Sequence, residues 1–144
     1  MELATEKLNA VSVILRASQS IQEVIRKDAA GYELNPTEFA VLELLYQKGD
    51  QPIQAIGRKA LISSSSITYV VDKLEQKKYV VRKACPEDRR VTYASLSNLG
   101  KEFVNQIFPQ HEKKLEQIFD KLTEEDIDKT VDLLKQIEQH AKKL

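Results

Sequence analysis

Two polar clusters in the middle of this 144-residue chain carry side chains of the kind that bind phosphate groups or the edges of bases. One is a run of short hydroxyls that lets a backbone approach a partner closely: Ser63, Ser64, Ser65 and Ser66. The other is Asp88-Arg89-Arg90, in which the carboxylate can hold one guanidinium through two hydrogen bonds. Together they favour contact with a nucleic acid. A polar turn that caps a helix and a solvated hairpin tip are the alternative interpretations.

The charge of the chain is unevenly distributed along its length. Overall, 22 Lys and Arg balance 22 Asp and Glu, but residues 52–96 contain 9 basic and 4 acidic side chains. Residues 1–51 carry a net charge of −3, and residues 97–144 carry one of −2. A basic centre between acidic ends is typical of a protein that presents one segment to DNA.

Other reactive side chains are few. The single cysteine, Cys85, has no partner for an internal disulfide, and His111 and His140 lack ligand-spaced neighbours, so we expect both histidines on helix surfaces or in a dimer contact. We expect no metal and no cofactor, and no enzyme, because the sequence offers no nucleophile–base pair and no phosphate-binding loop. No apolar run is long enough for a membrane span, which predicts a soluble, cytoplasmic protein.

The two polar clusters must be positioned by helices and by a hairpin. Apolar periodicity and capping signals predict six helices, which start at or just after Leu3, Pro36, Ile53, Ser63, Ser97 and Thr123. The second start is the most complete, because Asn35 and Glu38 form a capping box around Pro36. Strand-like runs at 79–84 and 91–96 flank the Asp88 cluster and predict a small β-hairpin with a charged tip.

The helix that follows the serine run has one apolar face and one polar face. Its apolar positions recur at i, i+3, i+4 and i+7 and should be buried: Ile67, Val70, Val71 and Leu74. The opposite face carries Ser65, Thr68, Tyr69, Asp72 and Gln76, with Ser64 and Lys73 on its flanks. Such a helix contacts base edges with its N-terminal residues when it lies in a major groove. Followed by a basic hairpin, it has the plan of a winged helix-turn-helix.

Several segments resemble the MarR family of bacterial transcription regulators. They are 34–39 (LNPTEF), 63–75 (SSSSITYVVDKLE) and 86–90 (PEDRR), the last followed by 96–100 (LSNLG). The resemblance covers essentially the whole chain. It implies a winged helix-turn-helix lobe at 34–96 and a helical dimerisation region formed by residues 1–33 and 97–144.

The resemblance also implies a homodimer on a pseudo-palindromic operator in double-stranded DNA, usually a repressor that a small phenolic ligand or an oxidant releases. By analogy, the DNA-binding residues in and beside the major groove are Ser63, Ser64, Ser65, Thr68, Tyr69 and Lys73. Arg89 or Arg90 would enter the minor groove, with Asp88 as its orienting partner. A winged-helix module that binds another protein is the alternative function.

An effector site is implied where the dimerisation helices meet the DNA-binding lobe. The candidate ligand-binding residues there are Ile14, Ser18, Phe39 and Tyr46. The segment from residue 34 to residue 46 resembles a branch of the family that answers quinones and related electrophiles. Cys85 lies at the start of the basic hairpin tip and is a candidate redox residue, with an incidental position in the wing as the alternative.

Two positions depart from the family pattern. Tyr69 stands where many members have Arg, which removes the strongest reader of guanine and shifts specificity towards hydroxyl contacts, thymine methyls and DNA shape. Lys78 stands where Gly is common. The preceding helix is therefore expected to end in a left-handed non-glycine residue, at a cost of about 1 kcal/mol, or to terminate differently.

Overall fold

The computed structural model describes residues 3–60 and 64–144, with side chains described for residues 5–60 and 66–144. The elements in these residues are α1 (Leu3–Ala30), α2 (Pro36–Lys48), β1 (Gln51–Pro52), α3 (Ile53–Lys59), α4 (Ser64–Gln76), β2 (Val80–Ala84), β3 (Thr92–Leu96), α5 (Asn98–Glu116), a 3₁₀ turn (Gln117–Phe119) and α6 (Glu124–Ala141). The chain divides into two compact units, residues 1–111 and residues 112–144. Among the helices described, none is long and apolar enough to cross a bilayer.

The helix starts follow the local capping signals. At the start of α2, the Asn35 side chain accepts a hydrogen bond from the Glu38 amide at 2.8 Å, and Glu38 Oε1 accepts one from the Asn35 amide at 3.0 Å. The same reciprocal arrangement of Thr123 and Asp126 starts α6. Just before α5, Ser97 Oγ accepts a hydrogen bond from the Gly100 amide at 2.9 Å. The predicted mainly helical fold is confirmed.

The sheet has three strands rather than the two that the sequence predicts. The strands lie in the order β1-β3-β2 and are antiparallel, with Gln51 opposite Ala94 and Pro52 opposite Tyr93. β1 escapes prediction because two residues, one of them proline, are too short to show alternation. β2 and β3 pair from Val80 with Leu96 to Ala84 with Thr92, which places the predicted charged tip at the end of the hairpin.

The core of the first unit holds α4 by its apolar face. All four predicted positions on that face are buried, and they belong to one cluster with side chains from α2, the sheet and α5: Phe39, Leu42, Val80, Ala94 and Val104. Each fully buried aliphatic side chain of this kind contributes roughly 1.5–3 kcal/mol to stability. Hydrophobic burial therefore leaves the polar face of α4 pointing outwards.

Among the residues that the structure describes, two that are not glycine adopt the left-handed conformation, both outside the helices. Lys78 has φ 69° directly after α4, so of the two helix endings that the sequence left open, the left-handed one is observed. There the Tyr79 amide donates to the Leu74 carbonyl at 3.1 Å and closes the helix end. Glu33 has φ 61° in the turn between α1 and α2.

Candidate nucleic-acid interface

The outward face of α4 presents Thr68 and Tyr69 to solvent. Tyr69 is 62% exposed, and the Lys73 ammonium lies 5.4 Å from the centre of its ring. A cation at this distance from an aromatic face is weakly attracted to it, so the two side chains form a pair along the helix. Ser63 lies outside the described residues, as do the side chains of Ser64 and Ser65. The structure thus brings Thr68, Tyr69 and Lys73 onto one helix surface.

Asp72, predicted on the same outward face, is bound by the wing instead of being free. From β2, the Arg82 guanidinium donates to Asp72 Oδ1 at 2.5 Å and to Glu75 Oε1 at 2.6 Å. Burial alone would lower the pKa of Arg82, but hydrogen bonds and charge attraction from the two carboxylates outweigh burial and raise it. Arg82 therefore offsets part of the negative charge of two α4 carboxylates that would otherwise repel phosphate.

The hairpin tip holds one arginine in a defined orientation. Asp88 accepts hydrogen bonds from Arg90 Nε at 3.1 Å, from Arg90 Nη2 at 3.2 Å and from the Arg90 amide at 3.0 Å. The side-chain hydrogen bond and then the backbone hydrogen bond lower the pKa of Asp88. The Arg90 side chain is nevertheless 91% exposed. Of the two arginines that the sequence left open, Arg90 is the one that Asp88 orients.

A groove of about 500 Å³ connects α3, α4 and the wing. Its lining includes Thr68 from α4, Arg58 from α3, and Arg90, Cys85 and Tyr93 from the wing. Cys85 is a half-buried free thiol at this place. Arg58 was missed as a site residue, although the basic count of residues 52–96 includes it. The groove thus collects two cations beside a helix that presents hydroxyls.

Comparison with known proteins identifies the family behind this arrangement. The model of the MarR family matches residues 34–92. Over 139 residues, the chain is 50% identical to the HTH-type transcriptional regulator MhqR of Bacillus subtilis, a match that covers 96% of each protein. The chain belongs to the MarR family. It is a transcriptional regulator of the helix-turn-helix type, as the sequence predicts.

Solved MarR-family structures share the fold. AbsC, a MarR family transcriptional regulator from Streptomyces coelicolor, has a TM-score of 0.87 at 22% identity, with 100% of this chain and 99% of AbsC covered. Sco3205 from the same organism, solved in complex with DNA, has a TM-score of 0.82 at 23% identity, with 97% of this chain and 89% of Sco3205 covered. Both likenesses confirm the winged helix-turn-helix architecture.

Of the four predicted ligand-binding residues of this MarR-family chain, Phe39 and Tyr46 both contact the ring of Phe108, and Ile14 and Ser18 lie on α1. Phe39 is buried and stacks on Phe108 with ring centres 5.9 Å apart. Tyr46 meets the edge of the same ring, and its hydroxyl donates to Asn105 at 2.6 Å. On α1, Ile14 is half-buried, and Ser18 Oγ accepts a hydrogen bond from Gln22 at 3.0 Å.

A cavity larger than the groove beside the wing lies next to Gln22, the residue that donates a hydrogen bond to Ser18. It has a volume of about 660 Å³, and its lining includes Gln19, Gln22 and Ile25 of α1 together with Thr37 and Ala40 of α2. Sequence reasoning did not select these residues, because amides and small side chains carry no distinctive spacing. The cavity combines an apolar floor with amide groups, a mixture common in small-molecule sites.

His111 is buried, and the prediction that it lies on a helix surface or in a dimer contact is wrong. Its Nδ1 lies 2.6 Å from Asp28 Oδ2, and its ring is 4.3 Å from that of Phe39. Next to this pair, burial first and then the charge of Asp28 raise the pKa of Tyr32. The pair joins α1 to α5 within the first unit. His140, by contrast, is exposed on α6, as expected.

Proposed function

We propose that this regulator represses transcription in the cytoplasm by binding a pseudo-palindromic operator in double-stranded DNA as a homodimer. The observation that carries the proposal is that α4 and the oriented Arg90 both belong to the basic segment 52–96. The N-terminal half of α4 enters the major groove, where Thr68 and Tyr69 face the bases. Arg90 enters the adjacent minor groove, where the potential is most negative.

The homodimer is supported by apolar side chains that the single chain leaves exposed. On α1 these include Leu8, Val11, Leu15 and Ile21, and on α6 they include Val131, Leu133, Leu134 and Ile137. Stripes of this size on helices of a monomer mark an interaction surface. A two-fold interface formed by residues 1–33 and 97–144 would cover them and repeat the basic lobe twice along the DNA.

An in vitro selection tests the proposed operator binding. The full-length protein should enrich duplexes with inverted half-sites whose centres lie about 34 Å, one helical turn, apart. Affinity for the enriched duplex should exceed that for a scrambled duplex of equal length by about a thousandfold or more at physiological salt. Failure to enrich any duplex would instead favour the protein-binding winged-helix module.

We infer that a small phenolic or quinone-like ligand releases the repressor. The resemblance of segment 34–46 to electrophile-responsive regulators supports this ligand class. The cavity beside α1 and α2 supports it too, because the Gln19 and Gln22 amides suit a ring that carries hydroxyl or carbonyl oxygens. A ligand that prefers a dimer with misplaced α4 helices depletes the form that fits successive major grooves.

Titrating the selected duplex with protein distinguishes release by a reversible ligand from release by oxidation of Cys85. Saturating 1,4-hydroquinone under reducing conditions should lower the affinity of the dimer for DNA by about tenfold, a typical coupling between two sites. The Cys85→Ser variant should respond equally. Hydrogen peroxide and 1,4-benzoquinone serve as the comparison arms. A response confined to these two and abolished in Cys85→Ser would replace the reversible ligand with a thiol switch at Cys85.

A further inference from the structure

The end of α4 is tied to the turn between α1 and α2 by one lysine. Lys77 is the first residue after α4, and its ammonium lies 2.9 Å from Glu38 Oε2 and donates to the Glu33 carbonyl at 2.8 Å. Glu38 belongs to the first turn of α2, and Glu33 is the left-handed residue of the preceding turn. A single cation therefore connects the α1–α2 turn and the start of α2 to the end of α4.

The carboxylate of Glu38 is buried and therefore requires a compensating positive charge. The Glu38 side chain is only 6% exposed, and its Oε1 already accepts the Asn35 amide in the capping box. Its Oε2 receives no further hydrogen bond within the described residues, so the Lys77 charge is what compensates it there. Removing one partner of a buried ion pair leaves an uncompensated charge and is strongly unfavourable. Lys77 is thus held where it is by the start of α2.

The backbone transmits this restraint to α4. The Lys77 amide donates to the Lys73 carbonyl at 3.1 Å, and the left-handed Lys78 closes the helix directly afterwards. A helix of 13 residues is about 18 Å long from first to last residue. A tilt of about 10° at its C-terminal end therefore moves its N-terminal end by about 3 Å, which is as large as a hydrogen-bond length.

We propose that Lys77 is a positioning residue for sequence-specific DNA recognition, acting through Glu38 and the α1–α2 turn and not through contact with DNA. The inference rests on the proposed operator binding. Under this proposal, contacts at the C-terminal end of α4 set the position of its N-terminal end, which contacts the bases. A movement of the α1–α2 turn would then shift α4 through Lys77.

Lys77→Met tests the proposal in the full-length dimer, with affinities measured by fluorescence anisotropy on the selected duplex and on a scrambled one over a series of salt concentrations. Affinity for the selected duplex should fall about tenfold, whereas affinity for the scrambled duplex and its salt slope should stay within about twofold of wild type. Lys77→Arg should restore most of the loss. Lys78→Met is the matched control, because the Lys78 ammonium forms no ion pair with any residue for which side chains are described.

A double-mutant cycle with Glu38→Gln separates positioning from general destabilisation. The double variant should bind no more weakly than either single variant, because the two side chains act as one unit. It also removes the buried unpaired charge and so keeps a folded protein available if Lys77→Met does not fold.

Equal losses on both duplexes with a salt slope lower by about one would show a direct phosphate contact and overturn the proposal. Unchanged discrimination in Lys77→Met would overturn it as well. If wild type shows no preference for any duplex, the proposed function fails first.

Discussion

Replacing both Arg89 and Arg90 with glutamine should weaken binding to the operator by about 100-fold at physiological salt. The double substitution removes two exposed cations from each wing of the dimer, at the hairpin tip that we place against the minor groove. The slope of log affinity against log salt should become shallower by about one unit for each arginine contact that is lost. Fluorescence anisotropy across a salt series measures both quantities.

The two arginines should not contribute equally. Asp88 orients Arg90 through two guanidinium nitrogens, Nε and Nη2, so Arg90 would reach DNA with its geometry already set. An aspartate is ionised at neutral pH, and hydrogen bonds from Arg90 lower the pKa of Asp88 further, so acidification to ordinary aspartate pKa values is needed before the pair is lost. Arg90→Gln should therefore cost more affinity than Arg89→Gln, and Asp88→Asn should reproduce part of the Arg90 effect.

A variant with the same change in net charge provides the control. Lys113 and Lys114 are exposed on α5, outside the basic segment. Replacing both with glutamine should leave the affinity within about twofold and the salt slope nearly unchanged, because a lysine outside the proposed interface contacts no phosphate and releases no counterions. Unchanged affinity after loss of both wing arginines would remove the hairpin from the DNA interface.

The features of the fold that sequence alone predicts are those specified within a few residues. The capping boxes at Asn35 and Thr123 set helix starts because donor and acceptor stand three positions apart. The buried face of α4 follows from apolar periodicity. Each of these signals is local, so the rest of the fold does not alter it.

The pairings that organise the site lie beyond such signals. Asp28 and His111 are 83 residues apart, and no local pattern around either residue indicates that the two form a pair. Strand alternation puts Arg82 on one face of the hairpin but does not reveal that this face meets the carboxylates of α4. The sequence predicts the capping role of Glu38, while its ion pair with Lys77 depends on how α2 and α4 pack. Charge counts thus indicate the candidate interface, and tertiary packing decides which of its charged side chains are paired with others.

Gly100→Ala should destabilise the folded protein by about 3 kcal/mol or more, the upper range for overpacking a well-packed site. In an exposed helix the same change is stabilising by about 1 kcal/mol, because alanine is the better helix former. Here a Cβ atom on Gly100 would lie 2.1 Å from the Tyr79 carbonyl oxygen. That contact is with a backbone atom, so no side-chain rotation relieves it. The clash therefore outweighs the better helix propensity of alanine, and we expect a loss of stability.

The Tyr79 carbonyl has little freedom to retreat. It accepts the Ser97 amide at 3.0 Å, and the Tyr79 ring stacks on Phe103 with centres 4.3 Å apart. Relief therefore requires α5 to separate from the junction of α4 and β2.

Urea unfolding at fixed protein concentration measures the loss of stability in Gly100→Ala. Lys101→Ala, at an exposed neighbour in the same turn, is the matched control. Because Tyr79 directly follows the Lys77-Lys78 turn, operator affinity should fall along with stability. A variant as stable as wild type would show that α5 does not pack on Tyr79 in solution.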